Sequence, residues 1–187
     1  VADRATMPLL ERGRLMGLAV ATPNEVQSPE CFDELNDAPG NSPLAPVVVD
    51  LSALWAGPLC SHLLQQCGFR VIKVESVQRP DGAREGSPMH FSALHKAKEL
   101  RRFDFADAKE LQTLGELLAS ADVVIEGSRP RALRALGLDR ESLQNSTRTA
   151  APSQLWLSLT AYGRQLPYGN WVGFGDDVAI AAGACAL

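Results

Sequence analysis

The chain has 187 residues, of which 45% are apolar and 21% charged, and these values predict a soluble globular protein with a core of its own. Its formal net charge of −4 gives no support to nucleic-acid binding, which favours a basic surface. No apolar run approaches the roughly 20 residues of a transmembrane helix, so no membrane role is expected, and no secretory signal is visible.

Residues 1–46 are predicted to form an N-terminal extension. Within it, leucines of Arg4–Val20 are spaced for a short helix, and Ala21–Pro46 is rich in the Pro, Asn, Asp, Ser and Gly of linkers. Residues 47–187 are assigned to one lobe. Because the chain starts with Val and stops inside a predicted helix, we expect it to be a piece of a longer product, with this lobe truncated at its C-terminal end.

Strand and helix patterns alternate along this lobe. Short β-branched runs are typical of strands covered on both faces, and repeated βα units predict an α/β fold: a Rossmann-like open parallel sheet with helices on both faces. The predicted strands are Val47–Leu51, Arg70–Glu75, Arg102–Phe105, Asp122–Glu126 and Gln154–Thr160. The predicted helices are Pro58–Cys67, Asp107–Ser120, Pro130–Leu136, Arg140–Asn145 and one starting near Asp176 or Asp177. The stretch Ser76–Lys98 is predicted as a long polar loop.

The turn between the first strand and the first helix is the most informative feature. Gly57 lets the backbone approach a ligand closely, and Pro58 starts the helix without losing a needed N–H. The free N–H groups and the dipole of such a helix favour a phosphate outside the carboxyl end of the strand. An ordinary βα turn without a ligand fits the same residues.

Cations are predicted to gather near the carboxyl ends of the strands, where open parallel sheets bind ligands. In an otherwise acidic protein this favours an anionic ligand, although solvated loop charge is the simpler explanation for any single residue. The cations are Arg79, Arg84, Arg129, Arg131 and Arg164, with His90, His95, Lys96 and Lys98 nearby. Glu75 and Glu126 end strands and are candidates for orienting loops or binding ribose hydroxyls.

Other common sites lack their motifs. The chain contains no GxGxxG, no GxxxxGK[ST] and no GxSxG, which argues against a dinucleotide site, a P-loop and a serine hydrolase. Its cysteines are Cys31, Cys60, Cys67 and Cys185, without a CxxC pair or a His at zinc-finger spacing. We therefore predict reduced, buried thiols in a cytoplasmic protein, and no metal site.

A series of short motifs follows in a consistent order. They are Val48–Ser52 with Trp55–Cys60, Gly68–Glu75, Arg79–Arg84, Phe103–Phe105, Ala121–Glu126, Arg129–Leu133, Leu136–Gly137, Ser158–Arg164 and Gly173–Ala179. Each motif is weak alone, but the ordered set resembles the family III CoA-transferases, which include formyl-CoA transferase, the carnitine CoA-transferases and the bile-acid-inducible transferases. The resemblance covers the chain from Val47 to its end.

The resemblance implies that coenzyme A, delivered as an acyl-CoA, lies against the first βα turn, with two further contact regions. The implied contacts are Leu54, Trp55, Ala56, Gly57, Phe103, Gly127 and Ser128. For Trp55, a flat surface for the ligand and a core anchor are equal alternatives. In the family, the residue after Glu75 is often a basic one that contacts the nucleotide end of CoA. This chain has Ser76 at that position, and Arg79 is expected to substitute for it. A second basic residue of the family aligns with Ala135, and the adjacent Arg134 is expected to take its place.

The resemblance also implies transfer of CoA to a carboxylic acid through a covalent aspartyl intermediate, without a metal, in an interlocked homodimer. The nucleophilic Asp is expected downstream of Leu187, so no catalytic residue is assigned and the piece alone is expected to be inactive. Asp176 and Asp177 are interpreted as first-turn acids of the last helix.

Three alternatives stay open. One is a non-catalytic module of a duplicated or fused transferase that binds CoA or a nucleotide. Another is a structural α/β domain whose charges are solvated. An acyl-CoA racemase is disfavoured, because racemases that resemble this family carry a His where this chain has Gly175.

Overall fold

The structure, a computed structural model, describes residues 5–23, 25, 45–146, 154–166 and 168–184. The chain divides into two compact units: unit 1 comprises Val1–Leu35 and Thr160–Leu187, and unit 2 comprises Asn36–Leu159. The predicted domain boundary at residue 46 stays a prediction. Most of the predicted linker Ala21–Pro46 lies outside the described residues, as do Cys31 and Cys185.

A five-stranded parallel sheet forms the centre of unit 2. Its strands are β1 (Val47–Asp50), β2 (Arg70–Ser76), β3 (Glu99–Phe103), β4 (Val123–Glu126) and β5 (Leu155–Ser158). Their order is β3-β2-β1-β4-β5, with β1 paired to β2 on one side and to β4 on the other. The predicted α/β fold with an open parallel sheet is confirmed. Because the chain winds outward in both directions from β1, a topological switch point lies between β1 and β4.

The helices differ in length and in the unit to which they belong. In chain order they are α1 (Thr6–Leu15), α2 (Ala56–Gln66), α3 (Ala83–Gly86), α4 (Pro88–His95), α5 (Ala108–Ala119), α6 (Pro130–Ala135), α7 (Arg140–Ser146) and α8 (Gly175–Ala181). Helices α1 and α8 belong to unit 1 and the others to unit 2. None of the helices in the described part of the chain is long and apolar enough to cross a membrane.

Successive residues of the strands supply apolar layers on opposite faces of the sheet. Val49 of β1 lies in one layer, which also contains Leu114 and Leu118 of α5. Its neighbour Val48 lies in the other layer, against Leu64 of α2. Since side chains alternate along a strand, a continuous apolar run such as Val47–Val49 is needed to fill both layers, which explains why the run predicted a buried strand.

The prediction of a long loop over Ser76–Lys98 is wrong. Two short helices, α3 and α4, occupy most of this stretch, and α4 begins with Pro88 in its first turn and buries Phe91 and Leu94. Gly82, Gly86 and Pro88 are turn-forming residues, and helices this short have too few apolar positions for a helical period to be visible.

In unit 1, Arg14 of α1 is buried against aromatic rings. Its guanidinium lies 4.0 Å from the centre of the Trp171 ring and 5.1 Å from that of Tyr162, and it pairs with Glu25. This cation–π contact gives a polar residue a reason to be buried. At the start of α8, the Phe174 N–H donates to Asp177 Oδ1 at 2.6 Å, so Asp177 is a first-turn acid as predicted.

Candidate functional site

A cleft of about 440 Å³ opens in unit 2 at the carboxyl ends of the strands. Its walls come from the turn after β1, the segment after β2 and the residues after β4, so it includes the switch point between β1 and β4. Open parallel sheets bind ligands at this place, and the volume is within the range of small-molecule pockets.

Four of the sequence-predicted site residues line this cleft, namely Leu54, Arg79, Gly127 and Ser128. They come from three segments that are distant in sequence, and the fold brings them together. Phe105, which was not singled out from the sequence, also lines the cleft. The sequence did carry a signal for Phe105, because it ends a predicted strand and belongs to the motif Phe103–Phe105.

The other predicted site residues lie elsewhere in unit 2. Trp55 is 64% exposed and contacts the His90 ring edge-on, and Ala56 is exposed at the start of α2. Phe103 belongs to the apolar layer that includes Leu114 of α5. Arg134 is exposed, with its Nε 3.5 Å from Asp139 Oδ2.

Gly57 is buried, and its bare face meets Ser52. A Cβ built at Gly57 would lie 1.9 Å from Ser52 Oγ and 2.2 Å from Ser52 Cβ, which no real side chain tolerates. On another side, a Cβ at Gly127 would lie 3.3 Å from Ser52 Cβ. Both glycines therefore make room for Ser52, so close packing within the turn explains Gly57 without a ligand.

Leu54 has the rare left-handed conformation, with φ of +68°. This conformation is unfavourable for a residue with a Cβ, and leucine has no polar side chain to compensate for it. The Leu54 N–H faces the Asp81 carboxylate, 3.1 Å from Oδ1 and 3.2 Å from Oδ2. Asp81 belongs to the motif Arg79–Arg84, but its contact with the first turn was not predicted.

Asp50 ends β1 with a fully buried side chain and holds the start of the turn. Its Oδ1 accepts hydrogen bonds from Ser52 N at 2.9 Å and from Ser52 Oγ, and its Oδ2 accepts from Ser61 Oγ of α2 at 2.5 Å. Lys98 Nζ lies 3.5 Å from the same Oδ2. A carboxylate with this many donors stabilises the turn and the first helix together.

Lys98 is not a loop cation, as the sequence interpretation assumed, but a buried one. Its Nζ donates to Pro58 O at 2.8 Å and to Ser61 Oγ at 2.6 Å. Burial lowers the pKa of Lys98, and the facing Asp50 opposes this shift. Lys98 therefore contributes to the interior of the fold rather than to the ligand-facing rim.

Two more of the predicted rim cations have structural roles. Arg84 Nε pairs with Glu75 Oε2 at 2.9 Å, and its guanidinium lies over the Phe91 ring. His95 is buried beside the same ring, and burial lowers its pKa to about 4. The sequence could not separate these residues from solvent-facing cations, because both helices around them were predicted as loop.

Two acidic residues and a serine complete the polar groups at this edge. Glu75 lines the cleft but is neutralised by Arg84, whereas Glu126 is buried and accepts from Ser158 Oγ at 2.5 Å. Ser128 Oγ is buried without a hydrogen-bond partner among the described residues. An unpaired buried hydroxyl is unfavourable in the free protein, which favours a polar ligand at this point of the cleft.

Within the described part of the chain, no group of His, Cys, Asp and Glu side chains is arranged to hold a metal ion. Cys60 and Cys67 are free thiols. Burial raises the pKa of Cys60, whereas Cys67 is exposed, so the prediction of buried thiols is wrong for Cys67.

Residues 46–187 match the family described as CoA-transferase family III, which is more than half of the chain. The chain belongs to this family. The match includes every segment that lines the cleft. The family resemblance drawn from the ordered motifs is therefore confirmed.

Proteins similar to this chain include several that are named as CoA-transferases. A probable fatty acyl-CoA transferase of Mycobacterium tuberculosis is 32% identical over 160 residues, which are 78% of this chain and 39% of that protein. The human succinyl-CoA:glutarate CoA-transferase is 30% identical over 141 residues, 72% of this chain and 31% of that protein. A solved CAIB/BAIF family protein from Brucella suis aligns with a TM-score of 0.64 at 31% identity, over 74% of this chain and 39% of that one. The chain thus spans about a third of the length of these relatives.

Proposed function

We propose that this chain supplies the CoA-binding lobe of an enzyme that moves CoA from an acyl-CoA to a carboxylic acid. The observation that supports this most is the cleft at the switch point. It is lined by Leu54, Arg79, Gly127 and Ser128, which are positions that the family resemblance had implied for CoA. The names of relatives such as the human succinyl-CoA:glutarate CoA-transferase support the same class of reaction.

The charges around the cleft are suited to an anionic ligand. Arg79 is exposed at the cleft wall and makes no hydrogen bond or ion pair with the described residues. By contrast, Lys73 and Glu75 of the same wall are paired with Asp81 and Arg84. Among the described residues that line the cleft, Arg79 is therefore a cation that no carboxylate of the described chain neutralises. Guanidinium groups bind phosphates well, so Arg79 is the proposed phosphate contact.

The chemistry would proceed by nucleophilic catalysis. An Asp carboxylate, expected beyond Leu187, attacks the thioester carbonyl of the donor; a mixed anhydride forms and the CoA thiolate leaves. The thiolate then attacks the aspartyl carbonyl, which releases the donor acid and leaves an enzyme–CoA thioester. The acceptor carboxylate attacks this thioester and expels the CoA thiolate, which gives a second mixed anhydride. The thiolate then attacks the acceptor carbonyl of this anhydride, which forms the new acyl-CoA and releases the Asp carboxylate. In this proposal the present lobe holds the CoA throughout, in a cytoplasmic homodimer.

The first test is calorimetric titration of CoA into the 187-residue chain. The change Arg79→Ala should weaken binding at least tenfold, because a hydrogen bond to a charged group contributes about 1.5–3 kcal/mol. Arg70→Ala is the matched control, since Arg70 starts β2 at the opposite edge of the sheet and pairs with Glu99 at the surface. Equal loss in both variants, or no binding by the wild type, would contradict the proposed site.

The second test concerns the reaction itself. The complete gene product that carries this chain is given pairs of acyl-CoAs and carboxylic acids, and new CoA esters are measured by mass spectrometry. A new ester supports the transferase. Binding of CoA without exchange for any pair would instead favour the non-catalytic binding module.

A further inference from the structure

The turn between β1 and α2 is fastened by side chains from outside it. Leu54 lines the cleft with its backbone at a φ of +68°, and its N–H is bonded to the Asp81 carboxylate of the segment after β2. Two residues earlier, the Ser52 carbonyl accepts a hydrogen bond from the Lys73 ammonium of β2. These hydrogen bonds therefore connect the turn after β1 to β2 and to the segment that follows β2.

Asp81 is itself held in place. Its side chain is fully buried, its Oδ1 also accepts from the Ala83 N–H at 3.0 Å, and its Oδ2 lies 3.7 Å from Lys73 Nζ. Lys73 is only 1% exposed, so the two charges are paired away from solvent. A carboxylate that is fixed by several partners has little freedom to follow a moving backbone, and it can impose a conformation on the N–H that it accepts.

We propose that Asp81 is a positioning residue, which keeps Leu54 left-handed and so gives the CoA-binding cleft its shape. This inference rests on the proposed function. Asp81 would not touch the ligand; it acts through the Leu54 backbone. Without the carboxylate, Leu54 lowers its conformational free energy by returning to a negative φ. This rotation displaces the part of the cleft wall that the turn forms.

A double-mutant cycle between Asp81 and Leu54 tests this proposal directly. Asp81→Ala removes the acceptor and should weaken CoA binding about 5- to 30-fold, the factor that corresponds to the cost of a left-handed leucine. Asp81→Asn keeps an oxygen for the Leu54 N–H and should bind within about threefold of the wild type. In a Leu54→Gly background, Asp81→Ala should change the affinity by less than about twofold, because glycine adopts a positive φ without a supporting bond and the loss of the leucine side chain is common to both proteins compared.

A second measurement does not depend on CoA. In the ligand-free chain, hydrogen exchange of the Leu54 amide, followed by NMR, should be slow in the wild type and in Asp81→Asn and fast in Asp81→Ala. If Asp81→Ala does not fold because Lys73 is left unpaired, Lys73→Met/Asp81→Ala is compared with Lys73→Met/Asp81→Asn. Both variants avoid a lone buried ammonium, and only the second keeps an acceptor for the Leu54 N–H.

The outcomes separate this proposal from the proposed function. Wild-type CoA affinity in a folded Asp81→Ala variant, unchanged hydrogen exchange of its Leu54 amide, or an equal loss of affinity on Asp81→Ala in the wild-type and Leu54→Gly backgrounds would each overturn the positioning role. A wild-type chain that does not bind CoA would refute the proposed function, and the amide exchange would still decide whether Asp81 fixes the turn.

Discussion

Replacing Gly57 by alanine should destabilise the first βα turn. The added Cβ would lie 1.9 Å from Ser52 Oγ and 2.2 Å from Ser52 Cβ, and 3.0 Å from Leu159 Cδ1. Ser52 cannot easily withdraw, because its N–H and hydroxyl are bonded to Asp50 and the backbone at Gly127 lies on another side of it. The helix or the turn must therefore shift.

The expected cost follows from overpacking. Extra methyl groups forced into a well-packed region destabilise a protein by about 1–3 kcal/mol. With a urea dependence of about 2 kcal/mol per molar, a loss of about 2 kcal/mol moves the unfolding midpoint by about 1 M. Gly86→Ala is the matched control: its Cβ meets no atom within 4 Å, and it lies at the end of α3. This variant should be neutral or slightly more stable.

A double-mutant cycle identifies the cause. Urea unfolding is followed by circular dichroism for Gly57→Ala in the wild type and in a Ser52→Gly background. Without the Ser52 side chain, the effect of Gly57→Ala should fall below about 0.5 kcal/mol, since neighbouring sites couple through their contact. An equal loss of stability in both backgrounds would refute the explanation of Gly57 by its contact with Ser52.

Three further predictions concern the buried polar groups of unit 2. Lys98→Met should lower the free energy of unfolding by about 3–5 kcal/mol in urea titrations, because the buried Asp50 carboxylate loses its cation. Lys96→Met is the control: Lys96 is exposed, and this change should alter the free energy of unfolding by less than about 0.5 kcal/mol. Burial lowers the folded-state pKa of His95 to about 4, so below pH 6.5 the imidazole is protonated in the unfolded chain before it is protonated in the folded one. The free energy of unfolding should therefore fall by up to about 3 kcal/mol between pH 6.5 and pH 4. His95→Leu should remove this part of the pH dependence in urea titrations. Ser128→Ala removes an unpaired buried hydroxyl and should leave the unfolding midpoint unchanged or higher, while calorimetry should show CoA binding weakened about three- to tenfold; a lower midpoint would contradict this account of the hydroxyl.

The α/β fold could be predicted because its signal is local. Val47–Leu51 and Asp122–Glu126 are short, mainly apolar runs that are typical of a sheet covered on both faces, and the two longer helices between them, α2 and α5, carry recognisable start or end signals at Pro58, Gly68 and Asp107. The pairing of β1 with β4 has no such signal. It joins Val48 to Val123, and nothing near either residue in the sequence indicates the partner.

The candidate site was predictable only where a motif marked it. Gly127 and Ser128 follow a buried strand, so their place at the cleft was expected, whereas the connection between Asp81 and Leu54 depends on three-dimensional contact. Lys73 was the overlooked signal, since a charged residue inside the apolar run of β2 requires a buried partner. Lys98 was assigned to the rim because it ends the stretch that was predicted as a loop, and its carboxylate partner, Asp50, is distant in sequence.

The discontinuity of unit 1 has a consequence for biosynthesis. Arg14 is translated early, but the rings of Tyr162 and Trp171 that shelter its guanidinium leave the ribosome about 150 residues later, a delay of roughly 7–30 s at ordinary elongation rates. Unit 2, by contrast, is one continuous segment and has all of its strands before Thr160 is made. The nascent chain can therefore complete its five-stranded sheet while the residues that shelter Arg14 have still to be made, so we expect the first helix to be synthesised to be among the last to pack.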